Sequence, residues 1–89
     1  MFSVYILRLN NGKYYIGQTS DLDQRVIRHK AGGSRYTKPY RPLKLIYSEQ
    51  YKTRADAMRR EKHLKTIKNR SALNKIIELG GDLASSSNG

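Results

Sequence analysis

Residues 2–17 constrain the fold of this chain more than any other stretch. FSVYILRL, residues 2–9, is rich in β-branched and aromatic types and reads as a strand. Alternation splits it into two sets, Val4 and Ile6 on one side and Tyr5, Leu7 and Leu9 on the other. Both sets are apolar, so the strand must be covered on both faces. Asn10-Asn11-Gly12 is a hairpin turn signal, and Lys13 to Gly17 returns as the second strand. Loop length then fixes every pairing. With Asn10 to Gly12 as the loop, Leu9 pairs with Lys13, Leu7 with Tyr15 and Tyr5 with Gly17. Tyr5 and Tyr15 then share a face of the sheet. A two-residue Asn11-Gly12 loop would put them on opposite faces. The longer loop is preferred, with Gly12 supplying the left-handed conformation.

Helices follow. Thr19-Ser20-Asp21 reads as a helix start, with Ser20 as N-cap and Asp23 three residues on. This helix runs to about Lys30, where Ala31-Gly32-Gly33 ends it. Residues 32–42, GGSRYTKPYRP, form a basic loop, and Leu43 to Gln50 a third strand. Thr53 and Asp56 resemble a second cap, opening a helix to about Ile67 with Ala57, Met58 and Leu64 inward. Residues 70–79 fit a third helix with Leu73, Ile76, Ile77 and Leu79 inward, stopped by Gly80-Gly81. The expected fold is α/β in the broad sense, and α+β more narrowly. A small three-stranded antiparallel sheet is flanked by about three helices, in the order β-β-α-β-α-α. Residues 1–80 make one domain, and residues 81–89 a polar, disordered tail.

Charge narrows the function. Eighteen Lys and Arg against seven Asp and Glu leave a net charge of +11, which calls for a polyanionic partner. Nucleic acid, DNA ahead of RNA, is the expected partner. A membrane is not, because no long basic helix with a clean apolar face is present. The bland alternative is a solvated basic surface. With no cysteine in the chain, disulfides, cysteine-ligated zinc and a thiol nucleophile are excluded. Two histidines do not build a typical zinc site unaided. The N-terminal apolar run is too short to span a bilayer and lacks signal-peptide features. A soluble cytoplasmic protein is expected, as a monomer or weak oligomer.

Several polar residues sit where chemistry is possible. On the first helix Leu22, Val26 and His29 form the inward stripe, and Arg25 borders it. Arg25 either snorkels to solvent or aims a guanidinium fork at a phosphate. Glu61 is the one carboxylate centred on the inward face of the second helix. Its plain reading is an ion pair, for instance with Arg25, or a helix turned toward solvent. Its functional reading is a ligand for Mg²⁺, which binds through one or two carboxylates, waters and substrate phosphates. Each tyrosine packs in a core by default. His29 either fills a helix face or moves a proton near neutral pH.

The spaced pattern Ser3-Val4-Tyr5, Tyr15-Ile16-Gly17, Arg25-x-x-x-His29 and Glu61 resembles the GIY-YIG nuclease superfamily. The likeness runs from about residue 3 to residue 78. It is greatest to the small single-domain bacterial members related to the N-terminal incision domain of the excision-repair nuclease. Ser3 stands where the name-giving glycine would be.

The resemblance implies a metal-dependent endonuclease. Tyr15 would be the general base or would orient the attacking water, with His29 as a rival base. Tyr5 would support the site, and Arg25 would neutralise charge on the scissile phosphate. Glu61 would hold one Mg²⁺ or Mn²⁺, and Gly17 would leave room at the strand end. Asn69 and Asn74 are both candidates for a polar residue that members carry on the last helix. Lys13, Arg35, Lys38, Arg41, Arg59 and Arg60 would grip the nucleic-acid backbone. A phenol has a reference pKa of about 10, so a tyrosine base needs cations nearby. Two alternatives remain: a non-catalytic basic nucleic-acid-binding module, and a nuclease subunit active only with a protein partner that supplies specificity.

Overall fold

The computed structural model describes residues 1–79. Three strands, β1 (Phe2–Arg8), β2 (Tyr14–Thr19) and β3 (Lys44–Tyr51), form an antiparallel sheet in the order β2-β1-β3. Three helices, α1 (Leu22–Lys30), α2 (Arg54–Thr66) and α3 (Arg70–Leu79), complete the order β-β-α-β-α-α. A single 3₁₀ turn, Lys38–Tyr40, interrupts the basic loop. The fold class is the α+β domain expected. The Gly80-Gly81 stop and the tail lie outside the described residues.

The doubly apolar strand is the middle of the sheet, as its composition requires. Val4 and Ile6 pack with Tyr47, Ala57, Leu64 and Leu73 beneath α2 and α3. Tyr5, Leu7 and Leu9 pack with Leu43, Tyr15, Leu22, Tyr40 and Leu45 on the α1 side. Val4, Ile6, Leu7 and Leu64 are fully buried, each contributing about 1.5–3 kcal/mol of hydrophobic stabilisation. The hairpin adopts the three-residue loop. Leu9 donates to the Lys13 carbonyl at 2.9 Å, Leu7 opposes Tyr15 and Tyr5 opposes Gly17. Gly12 turns the chain at φ +85°, a conformation that a side chain would strain.

Details of the helices differ from expectation. Asp21, not Ser20, caps α1, its carboxylate accepting from the Gln24 amide at 3.2 Å. Thr19 ends the strand and takes the Asp21 amide on its hydroxyl, which moves the helix start one residue on. A carboxylate there also complements the helix dipole better than a hydroxyl does. Thr53 caps α2 as expected. Met58 is 51% exposed rather than inward. Ala57 and Leu64 stand nearly above one another at seven residues' spacing, and Met58 lies about 100° round from them. Leu79 is 82% exposed, because six residues carry it about 240° from Leu73.

One polar cluster anchors α2. Glu49 of β3 is buried and accepts from the hydroxyls of Tyr47 and Tyr51. The Arg60 guanidinium clasps the same carboxylate, Nε at 2.9 Å and Nη2 at 3.0 Å. Burial works to raise the Glu49 pKa, but these donors outweigh it and hold the carboxyl below its ordinary value. Arg60, expected on the nucleic-acid-binding surface, is therefore committed to the sheet. It lies three residues after Ala57, on the inward side. Among the described residues no helix is long and apolar enough to cross a membrane.

Candidate active site

The site begins at Gly17. A Cβ built there would stand 2.6 Å from the Tyr5 hydroxyl oxygen and 2.8 Å from its ring carbon. Only glycine admits the Tyr5 hydroxyl across the strand pair. Tyr5 is fully buried, and its hydroxyl shares a 3.1 Å hydrogen bond with His29 Nε2. His29 Nδ1 shares a 2.8 Å bond with the Thr37 hydroxyl, and Thr37 is itself fully buried. Thus β1, α1 and the basic loop meet in one buried chain of polar groups.

Burial and the charges of Arg25 and Arg28 push the His29 pKa below its ordinary value. The imidazole is neutral at pH 7, so one ring nitrogen donates and the other accepts. Burial raises the Tyr5 pKa, and Arg25 offsets only part of that rise. Tyr5 therefore stays protonated. Both His29 nitrogens are occupied and the residue is 1% exposed, so it acts on a substrate only through its neighbours or by rearrangement.

Tyr15 shares the face of Tyr5, its ring 6.4 Å from Tyr5, 5.2 Å from His29 and 5.5 Å from Tyr36. It is half-buried. With Arg25, Arg28, His29 and Arg35 it lines an open cleft of about 380 Å³. No carboxylate lines that cleft, so it suits an anion.

Glu61 stands on α2 in a neighbouring cleft with Met58, Lys62 and Lys65. Its carboxylate, 21% exposed, pairs with Lys65 Nζ at 2.8 Å. The expected ion pair thus exists, with Lys65 rather than Arg25. Glu61 still belongs to the same neighbourhood through Lys65, its ion-pair partner. Lys65 also lines a cleft that Tyr15 shares.

Among the described residues no group of three or more histidines and carboxylates converges. A cation held by the protein alone is not built here. A hard ion bound through Glu61, waters and a substrate phosphate fits the donor set.

The other basic residues scatter. Arg35, Lys38 and Arg41 line a third cleft, where Arg41 also donates to the Lys38 carbonyl at 3.1 Å. Arg59 pairs with Asp56 at the exposed surface. Lys13 is exposed at the β1–β2 turn. Asn69 and Asn74 separate clearly. Asn69 caps α3, accepting from the Ser71 amide at 2.8 Å. Asn74 accepts from the Tyr14 hydroxyl at 2.7 Å, which ties α3 to β2. Thr37, Tyr36 and Glu49 were not singled out from the sequence. A lone threonine or tyrosine in a basic loop carries no periodic signal.

A family model described as the GIY-YIG catalytic domain matches residues 1–76. The chain belongs to the GIY-YIG family. Its similarity to relatives covers nearly the whole of them. A UPF0213 protein of Staphylococcus epidermidis is 42% identical over 76 residues, which are 84% of this chain and 93% of that one. A UPF0213 protein of Staphylococcus aureus is 40% identical over the same shares. The solution structure of a UPF0213 protein from Bacillus halodurans aligns with a TM-score of 0.59 at 31% identity, covering 97% of this chain and 94% of that one. The GIY-YIG domain places the chain among nuclease-type folds, and these relatives are bacterial.

Proposed function

We propose that this GIY-YIG domain is a divalent-metal-dependent endonuclease that hydrolyses phosphodiester bonds in nucleic acid, with DNA the expected substrate. The observation that carries the reading is the shared cleft of Tyr15 and Arg25, which has cations on its walls and no carboxylate. A scissile phosphate enters that cleft and meets the Arg25 guanidinium, which neutralises the charge that builds during attack. Tyr15 orients or deprotonates the attacking water, its ring packed edge-on against His29. The water oxygen bonds to phosphorus as the bond to the 3′ oxygen breaks. The water's proton leaves by way of Tyr15 to solvent and the 3′ oxygen takes one up from solvent, leaving a 5′-phosphate and a 3′-hydroxyl.

Tyr5 and His29 position Tyr15, being too buried to touch the phosphate themselves. Gly17 keeps the space in which the Tyr5 hydroxyl sits. Glu61 is the residue that would hold one Mg²⁺ or Mn²⁺, in place of its Lys65 partner, and the ion would supply charge stabilisation at the leaving oxygen. Arg35, Lys38 and Arg41 hold the flanking backbone.

The test is cleavage of end-labelled single-stranded, duplex and flap DNA, and of RNA, with Mg²⁺, Mn²⁺ or EDTA. Wild type should cut at least one substrate with metal and none with EDTA. Tyr15→Phe keeps the ring and loses the hydroxyl, and should cut roughly 10²–10⁴-fold more slowly. Absence of cleavage from every substrate, or cutting by Tyr15→Phe at the wild-type rate, would overturn the proposal.

A further inference from the structure

Tyr15 is a wall shared by two clefts. On one side lies the basic cleft, with Arg25, Arg28 and Arg35. On the other lies a second, of about 410 Å³, whose walls include Tyr14, Tyr36, Leu64, Lys65 and Ile67. Clefts that take small ligands run from roughly 300 Å³ upward, so this one admits a planar aromatic group. Its character is opposite to that of its neighbour: rings and aliphatic side chains, with one ammonium.

Tyr36 is the unusual member. It is 64% exposed, although its ring lies 5.5 Å from Tyr15 and 6.4 Å from Tyr40. A single exposed aromatic is ordinary on a protein surface. This one is flanked in sequence by Arg35 and Lys38, overhangs a cleft, and extends a series of rings that begins at the buried Tyr5. A phosphate site on one side of a ring and a stacking surface on the other match the two halves of a nucleotide.

We infer that the second cleft is a nucleobase subsite, in which Tyr36 stacks on a base next to the phosphate held by Arg25. The inference rests on reading the basic cleft as a phosphate site. One nucleotide then straddles Tyr15, with its phosphate among the arginines and its base against Tyr36. A base in a duplex cannot reach this position without leaving its stack. The substrate class is therefore nucleic acid with an unpaired or easily extruded nucleotide at the reacting phosphate. Stacking tolerates any base, so the subsite selects unpairedness rather than sequence.

The experiment measures equilibrium binding by fluorescence anisotropy in EDTA, where the proposed cleavage is silent. The probes are a short labelled single-stranded DNA, an abasic strand of the same length and charge, and the paired duplex. Wild type should bind the base-bearing strand about ten-fold more tightly than the abasic one. Tyr36→Ala should lose that preference while binding the abasic strand as wild type does, and Tyr36→Trp should keep it. Equal wild-type affinity for the two strands, or a full preference in Tyr36→Ala, would overturn the subsite. Base-dependent binding without cleavage in metal would leave the subsite standing and remove the hydrolytic reading. Cleavage without base-dependent binding would do the reverse, and no binding to any probe would overturn both.

Discussion

At the scale of single residues, the site is decided by what fits beside Tyr5. Gly17→Ala would drive a methyl into the Tyr5 hydroxyl. A cost of about 1–3 kcal/mol is expected, read by urea denaturation, together with slower cleavage as the Tyr5–His29 bond breaks. This juxtaposition was legible in the sequence, because the Asn10–Gly12 loop fixes Tyr5 opposite Gly17. Thr37 was not legible, since it reaches His29 through a loop whose path no periodicity describes. The depressed pKa of His29 gives a second expectation. The unfolded chain takes up that proton first, so the stability that neutral His29 contributes is complete above its unfolded value of about 6.5. It drains away as pH falls through the lower folded value. Thermal melts should show this acid-side loss, and His29→Gln should remove that part of it.

At the scale of elements, the position of α2 governs the account, because α2 carries Glu61. Its anchor is the Arg60 clasp on Glu49. Arg60→Met would leave a buried carboxylate with only the Tyr47 and Tyr51 hydroxyls. With Arg60 partly exposed, a cost of about 2–3 kcal/mol is expected, below that of a fully buried pair. Denaturation at pH 7 measures it. Near pH 4 the difference should shrink, since Glu49 gains its stabilising charge only above its unfolded value and loses it as pH falls through the depressed folded one. The sequence placed all three helices to within about a residue because caps and periodicity are local. It misjudged Met58, Leu79 and Arg60 because helix rotation is set by the sheet beneath, and a cluster such as Arg59-Arg60-x-Lys62 does not show which member turns inward.

At the scale of the whole molecule, the net charge of +11 should make nucleic-acid affinity fall steeply with salt. Arg35→Ala, in the basic cleft, should flatten the plot of log affinity against log salt by about one unit of slope. An unchanged slope would take Arg35 off the phosphate path. Composition points to a polyanionic partner without saying where it would bind. The clefts form only when loop 32–42 meets the helices and β2, so the sequence could name Arg25 and Tyr15 but not that Tyr15 shares one cleft with Arg25 and Arg28 and another with Tyr36. The central claim joins two sides of the sheet: Tyr15 and Arg25 on the α1 side, Glu61 on α2. The most direct test is the single-turnover cleavage rate of wild type and Glu61→Ala across a range of Mg²⁺ and Mn²⁺ concentrations. The account predicts that wild type saturates with metal and that Glu61→Ala is slower by roughly 10²-fold or more at every concentration. Cleavage by Glu61→Ala at the wild-type rate, with the same metal dependence, would contradict it.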